Sequence, residues 1–353
     1  MDVDGHVRRQ AGVVAAGVIQ IHFAGVRDDV PVIALAHACG VGRFERDRGV
    51  DVHRYERLFG DAPKLWRAVP LEDAQVVVYP HHYRKGEETA RAAEAARKRG
   101  VPCIFFKSAD DATPVHLPYG VIYRDSIDSA QQAPSERVLA AFADDLLHDR
   151  GGEMVVREKT DRPSVGFCGY VGTAFNRAIF RLTGRAQKFH GLFLRHRVLR
   201  GLGRSSRVDC KFIARARFWG GALGRFHRNV SRQVSVREEY LNNIFNTDYT
   251  VCLRGAGNFS YRFYEVLSAG RIPLFVNTRC VLPFASQIDW RRHCVWVEES
   301  ELERAGDILA DFHVRLSAEE FRAMQRANRK LWEDWLAPLS FYRRVLESEM
   351  AAE

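Results

Sequence analysis

The sequence predicts an α/β protein of two doubly wound, Rossmann-like domains that face each other across a cleft. Three observations carry this. The chain is 353 residues long, above the roughly 250 at which a single core tends to divide. Two distant stretches, 74–106 and 248–276, each read as strand, helix, glycine stop and strand, the pattern that encodes a parallel sheet wound by helices. Between them, the polar run from Arg150 to Pro163 reads as the passage from one domain to the next.

In the first half, apolar runs alternate with helical stretches, beginning with Val32-Ile33-Ala34-Leu35 and continuing through Ala74 to Tyr79. Glu87 to Arg99 reads as a charged helix, Gly100 as its stop and Val101 to Phe106 as the next strand. Function in a wound sheet sits just past the carboxyl ends of strands. Here those ends carry Pro80-His81-His82-Tyr83-Arg84 and Lys107-Ser108-Ala109-Asp110-Asp111. Ser135 to His148 reads as helical. A strand from Ser164 to Cys168, then Gly169 to Thr173 and a helix from about Ala174, opens the second domain. The expected boundaries are 1–155, 156–335 and a last helix, 336–353, crossing back to the first domain.

Composition sets the outer limits. With 46% hydrophobic and 27% charged residues the chain can build ordinary cores and is neither disordered nor collagenous. A net charge of +9 asks for an anionic partner. The Arg and Lys are scattered, with no zinc finger, RNA-binding aromatic signature or basic zipper, so nucleic acid is not the expected partner. Seven cysteines without a CxxC pair point to neither a disulfide framework nor a zinc site, and reduced cytoplasm is the expected compartment. Residues Ala11 to Val26, after Arg8 and Arg9, have the look of a short signal sequence, yet Gln20, His22 and the lack of a clean cleavage site argue against one. From Arg195 to Arg232 many arginines interleave with Phe212, Phe218, Trp219 and Phe226. The plainer reading is a solvated helical surface with aromatic anchors; the sharper one puts Arg215 or Arg217 in an anion site.

The informative segment runs from Asp248 to Val276. Thr250 to Leu253 reads as a strand, Gly255 and Gly257 as a loop allowing close backbone approaches, and Ser260 as the N-cap of a helix from Tyr261 to Ala269. Gly270 ends that helix and Ile272 to Val276 is the next strand. A helix opening after a glycine loop at a strand end offers the positive end of its dipole to a diphosphate. Arg254 and Arg262 add bidentate donors matched to phosphate oxygens. Glu265, three residues past Arg262, can accept the hydroxyls of a ribose. The residues alone leave a second reading open, in which Arg262 and Glu265 form only a surface i, i+3 ion pair worth a few tenths of a kcal/mol.

This segment resembles the nucleotide-binding signature of the exostosin family of glycosyltransferases. The resemblance lies in Arg254-Gly255, Ser260-Tyr261-Arg262-Phe263, Glu265, and Gly270 with Ile272-Pro273. It continues through Val281-Leu282-Pro283-Phe284, Ile288-Asp289-Trp290, Val295-Trp296-Val297 and the helical Gln325 to Trp332, covering about the last third of the chain. The loop Gly255-Ala256-Gly257-Asn258 looks more like bacterial members than animal ones. The resemblance implies a GT-B fold, an acceptor bound by the N-terminal domain, and a sugar nucleotide bound by the C-terminal one, with a lean to UDP. It implies inversion with no essential metal and no cofactor beyond the donor. Arg254 and Arg262 would hold the diphosphate and Glu265 the ribose. The loop Gly255, Gly257 and Asn258, the helix start Ser260 and Tyr261, and Gly169 from the neighbouring strand end would line the donor, with Arg217 beside it.

An attacking acceptor hydroxyl must lose its proton, so a base from the N-terminal half is required. The candidates are His81, His82, Asp110 and Asp111, for which the family supplies no motif. One rival is a metal-dependent transferase using Asp110-Asp111, although the pair lacks a spaced D-x-D; Asp2-Val3-Asp4 has the spacing but stands at the terminus. Another is a non-catalytic sugar or nucleotide-binding subunit that keeps donor contacts without a base. The reading overall is a cytoplasmic enzyme of polysaccharide or glycoconjugate synthesis, peripheral at the inner membrane face, with a carbohydrate or lipid-linked glycan acceptor.

Overall fold

The structure, a computed structural model, describes residues 17–43, 59–184, 189–221 and 230–352. Asp2, Asp4, Arg8, Arg9, the stretch from Ala11 to Ala16, and Phe226 lie outside the described residues.

Two parallel sheets organise the chain. The first holds β1 (Ile19–Phe23), β2 (Trp66–Ala68), β3 (Val76–His82), β4 (Cys103–Lys107), β5 (Val121–Arg124) and β6 (Glu136–Val138), in the order β2-β1-β3-β4-β5-β6. Its helices include α1 (Ala34–Ala38) and α2 (Glu87–Arg99), the latter stopped by Gly100 at φ 69°. The second sheet holds β7 (Ser164–Tyr170), β8 (Asp209–Arg215), β9 (Tyr249–Cys252), β10 (Ile272–Asn277) and β11 (Val295–Glu298), in the order β11-β10-β9-β7-β8. Its helices are α3 (Ala174–Leu182), α4 (His190–Arg204), α5 (Val230–Phe245), α6 (Tyr261–Ser268), α7 (Ala305–Arg315) and α8 (Ala318–Leu331). A π-helical turn at Trp332–Leu336 leads into α9 (Pro338–Met350).

In each sheet the first strand lies between the second and the third, so the winding reverses there and a crevice opens past the carboxyl ends of those two strands. In the second sheet the crevice falls between β7 and β9. Helix α4 packs Leu194, Val198 and Leu202 against Val165, Phe167 and Val251. Helix α6 packs Phe263, Val266 and Leu267 with Cys252 and Phe275. Because side chains alternate along a strand, the two helices cover opposite faces.

Two expectations change. The first strand is Ile19–Phe23, inside the stretch considered as a signal sequence; its alternating buried and exposed residues fit one face of a sheet. Val32–Leu35 is not a strand, because the Ala-rich run that follows Ile33 forms α1. Ser135 to His148 is not a helix. Glu136 is buried, accepting from Arg124 Nη1 at 2.7 Å and from the backbone N–H of Val115 and Ala133, and this network ties the segment to β5 as a strand. Tertiary burial outweighs local propensity.

The two halves meet over a broad contact. Helix α9 lies on the first sheet, where Tyr342 meets Phe106 and Trp66 at ring distances of 5.3 and 6.3 Å, and Tyr123 donates to Glu349 at 2.7 Å. Arg329 of α8 bridges Asp145 and the Ser268 carbonyl, each at 2.6 Å.

Candidate functional site

Arg262, in the first turn of α6, reaches across the ends of β7 and β9. Its Nη2 donates to the Cys168 carbonyl at 2.6 Å, its Nη1 to the Val251 carbonyl at 3.3 Å and its Nε to the Tyr240 hydroxyl at 3.4 Å. The guanidinium stacks over the Phe167 ring, 4.6 Å from its centroid. A Cβ on Gly169 would lie 2.9 Å from Arg262 Nη2, so the glycine leaves room for the arginine.

Sequence reasoning missed Arg195, on α4. Its Nη1 donates to the Tyr170 carbonyl at 2.9 Å and its Nη2 to the Arg254 carbonyl at 3.3 Å. Burial, and then the charge of Arg262, pull its pKa down to about 10. Its signal in the sequence was only its place in a long arginine-rich run. Arg254 donates to the Ala256 carbonyl at 2.9 Å, its Nε is buried without a partner, and burial lowers its pKa. It also lines a cleft of about 420 Å³ with Asn277 and Thr278 at the end of β10, Glu298 and Glu299 at the end of β11, and Asp128 from the first half of the chain. Among the described residues, none of Arg195, Arg254 and Arg262 forms an ion pair with a carboxylate.

The i, i+3 ion pair between Arg262 and Glu265 is not formed. Glu265 accepts instead from Arg237 Nη1 at 3.0 Å and, through a short contact, from the Tyr240 hydroxyl. Arg215 is tied to Glu239 at 2.7 Å and to the Val236 carbonyl, while Arg217 is exposed beside Gly221. Ser260 holds the N-cap position of α6, but its side chain makes no capping bond, and Tyr261 is half-exposed.

The glycine loop serves the contact between the halves. Gly255 N–H donates to the Phe259 carbonyl, and Gly257 N–H donates to Asp110 Oδ1 at 2.9 Å. A Cβ on Gly257 would lie 2.5 Å from the Phe259 ring and 3.0 Å from Asp110 Cα. Asn258 is buried; its N–H donates to Ser126 Oγ, its Nδ2 to the Ile127 carbonyl, and its Oδ1 accepts from Thr278 Oγ1 at 2.7 Å.

The four candidate bases separate. His81 is buried with both ring nitrogens in use, one toward the Pro31 carbonyl and one accepting from Arg27 N–H; it holds a loop and has no lone pair left for a substrate. Asp111 accepts from Thr113 and Lys107; those bonds, Thr113 first, hold its carboxyl below the usual range and make it a poor base. His82 is exposed, and its Nδ1 accepts from Ser108 N–H at 3.3 Å, which occupies that lone pair. Asp110 is exposed, faces the glycine loop and keeps Oδ2 outside its bond to Gly257. Behind it stands Asp125, also unforeseen, which accepts from Ser108 Oγ at 2.6 Å and Ala109 N–H at 3.1 Å; burial raises its pKa. Asp110 and Asp111 are thus held by different partners, and no group of three or more His, Cys, Asp or Glu suited to a metal occurs among the described residues.

Residues 205–312, which span β8, the glycine loop, α6, β10 and β11, match the model of the Exostosin GT47 domain. That stretch is similar to an exostosin GT47 domain. Exostosin-1 of Drosophila melanogaster is 32% identical over 103 residues, 29% of this chain and 13% of that protein. Exostosin-2 of Homo sapiens is 30% identical over 95 residues, 27% of this chain and 13% of that one. The likeness therefore spans about an eighth of the length of these relatives. Among solved structures, WaaG, a glycosyltransferase involved in lipopolysaccharide biosynthesis, is 11% identical with a TM-score of 0.37, over 95% of this chain and 99% of that one. The doubly wound α/β fold of this chain stands on its own two parallel sheets.

Proposed function

We propose that the chain transfers a sugar from a nucleotide-sugar, with UDP as the carrier, to a carbohydrate or lipid-linked glycan acceptor, inverting the anomeric carbon without a metal. The observation that supports this reading is the meeting of Arg195 and Arg262 at the ends of β7 and β9 with no carboxylate ion pair among the described residues, beside Arg254, whose guanidinium lines the adjoining cleft. Arg195 and Arg262 repel each other, and after burial the charge of Arg262 is the next cause that lowers the pKa of Arg195. A diphosphate relieves that repulsion and accepts their remaining N–H donors.

In the reaction the acceptor oxygen attacks the anomeric carbon from the side opposite the diphosphate. The bond from that carbon to the phosphate oxygen breaks, its electron pair stays on the diphosphate, and the three arginines stabilise the added charge. The acceptor proton passes to Asp110 as general base, held at the loop by Gly257 N–H. Asp125 positions the Ser108–Asp110 turn.

The test is turnover: release of nucleotide from UDP-sugars, with GDP- and CMP-sugars for comparison, by the wild type and Asp110→Asn. The reading expects release by the wild type and a loss of about a hundredfold or more in the variant with unchanged donor affinity. Binding without any turnover would instead make the chain a nucleotide-binding subunit.

A further inference from the structure

Helix α3 wears its apolar side outward. Phe175, Ala178, Ile179 and Leu182 follow the i, i+3, i+4, i+7 spacing of one helical face. Phe175 is 72% exposed, Ile179 37% and Leu182 86%, and no residue of the helix is buried. Single exposed apolar residues are ordinary, whereas a contiguous face of them marks a contact surface. The helix is held by its other side: Thr173 caps it through Asn176 N–H, Arg177 reaches the Val171 and Gly172 carbonyls, and Phe180 stacks on Phe189 at 4.0 Å.

Charge around this face is of one sign. His196 lies among Arg177, Arg181 and Arg200, and Arg181 sits over the Phe193 ring at 5.1 Å. None of these three arginines has a carboxylate ion pair among the described residues. An apolar face flanked by unpaired arginines is complementary to a bilayer surface, which supplies acyl chains below and phosphates above.

We propose that α3 docks on an anionic membrane, with Phe175, Ile179 and Leu182 in the acyl boundary and Arg181 and Arg200 against the lipid phosphates. The helix has nine residues, and no described helix is long and apolar enough to cross a membrane, so the contact is peripheral. Because α3 follows β7 directly, this contact sets the bilayer beside the mouth of the β7/β9 crevice.

The experiment is co-sedimentation of the full chain with vesicles of phosphatidylcholine alone or mixed with phosphatidylglycerol, at low and high salt. The wild type is expected to bind the anionic vesicles and to release at high salt. The double variant Phe175→Glu, Leu182→Glu should bind about tenfold less or weaker still. Should that variant fold poorly, Phe175→Trp, which keeps the face apolar, should blue-shift its fluorescence on anionic vesicles. Failure of the wild type to bind, binding indifferent to the double variant, or a tryptophan that stays in water would overturn the proposal. So would a wild-type dimer that the double variant dissolves in the absence of vesicle binding, which would make this face a contact between copies.

Discussion

Arg195 and Arg262 come from helices on opposite faces of one sheet and grip carbonyls two residues apart on the same strand, Tyr170 and Cys168, at 2.9 and 2.6 Å. The grip fixes both guanidiniums at the ends of β7 and β9 before any ligand arrives. Preorganised charge of this kind needs no rearrangement when a diphosphate binds or leaves.

Gly169 makes that arrangement possible, since a Cβ there would sit 2.9 Å from Arg262 Nη2. Gly169→Ala should push the guanidinium aside and weaken UDP binding by about tenfold or more. Stability should fall by only ~1 kcal/mol, because the obstructing atom ends a flexible side chain. Calorimetry and a denaturation curve on the same variant separate the two effects.

Inorganic pyrophosphate presents the shared chemistry of the donor without sugar or base. It should raise the melting temperature of the wild type and leave Arg195→Met unmoved. The variant itself should stay within about 1 kcal/mol of the wild type, because removing a buried charge that feels Arg262 offsets the lost bonds to Tyr170 and Arg254. Thermal melts with and without pyrophosphate decide this.

The strand, loop, helix and strand of 248–276 were legible in the sequence because their signals are local. Glycines, a helix start and a strand within 248–276 lie where the structure has β9, α6 and β10. Arg195 was not legible as a site residue, since it arrives from a helix some sixty positions earlier and nothing nearby distinguishes it from the other arginines of its run. Glu265 was placed on the right helix, but its partners, Arg237 and Tyr240, belong to α5 and could not be read from an i, i+3 spacing. The structural work of Asn258 and Gly257 depends on Ser126, Ile127 and Asp110, more than 120 residues away, so the part this loop plays in joining the two halves could not be read from its own residues.

Asp111 and Asp110 should respond oppositely to amide substitution. Asp111→Asn should leave turnover near wild type but lower stability. A carboxyl whose folded pKa lies below its unfolded value of about 3.9 stabilises above that value and loses the contribution as pH falls toward the folded pKa. The wild type should therefore exceed Asp111→Asn in denaturation midpoint at pH 7, and the gap should narrow steadily below about pH 4.

Glu136 tests the edge of the first sheet. Its carboxylate and the Arg124 guanidinium are almost wholly shielded from solvent, at 2% and 1% exposure. Glu136→Ala takes away the close partner of a buried cation, leaving it only the Asp111 carboxylate at 4.0 Å, and should cost roughly 3 kcal/mol. Nucleotide affinity in the fraction that remains folded should not change, because neither residue of the pair bonds Arg195, Arg254 or Arg262.

The most direct measurement is calorimetry of UDP, with GDP and CMP for comparison, binding in the presence of a chelator to the wild type and to Arg262→Lys. Lysine keeps the charge but cannot bridge the Cys168 and Val251 carbonyls while presenting a fork to phosphate. The three-arginine site predicts that UDP binds the wild type in chelator and binds the variant at least about tenfold more weakly. UDP binding that requires a divalent ion, or that Arg262→Lys leaves intact, would contradict it.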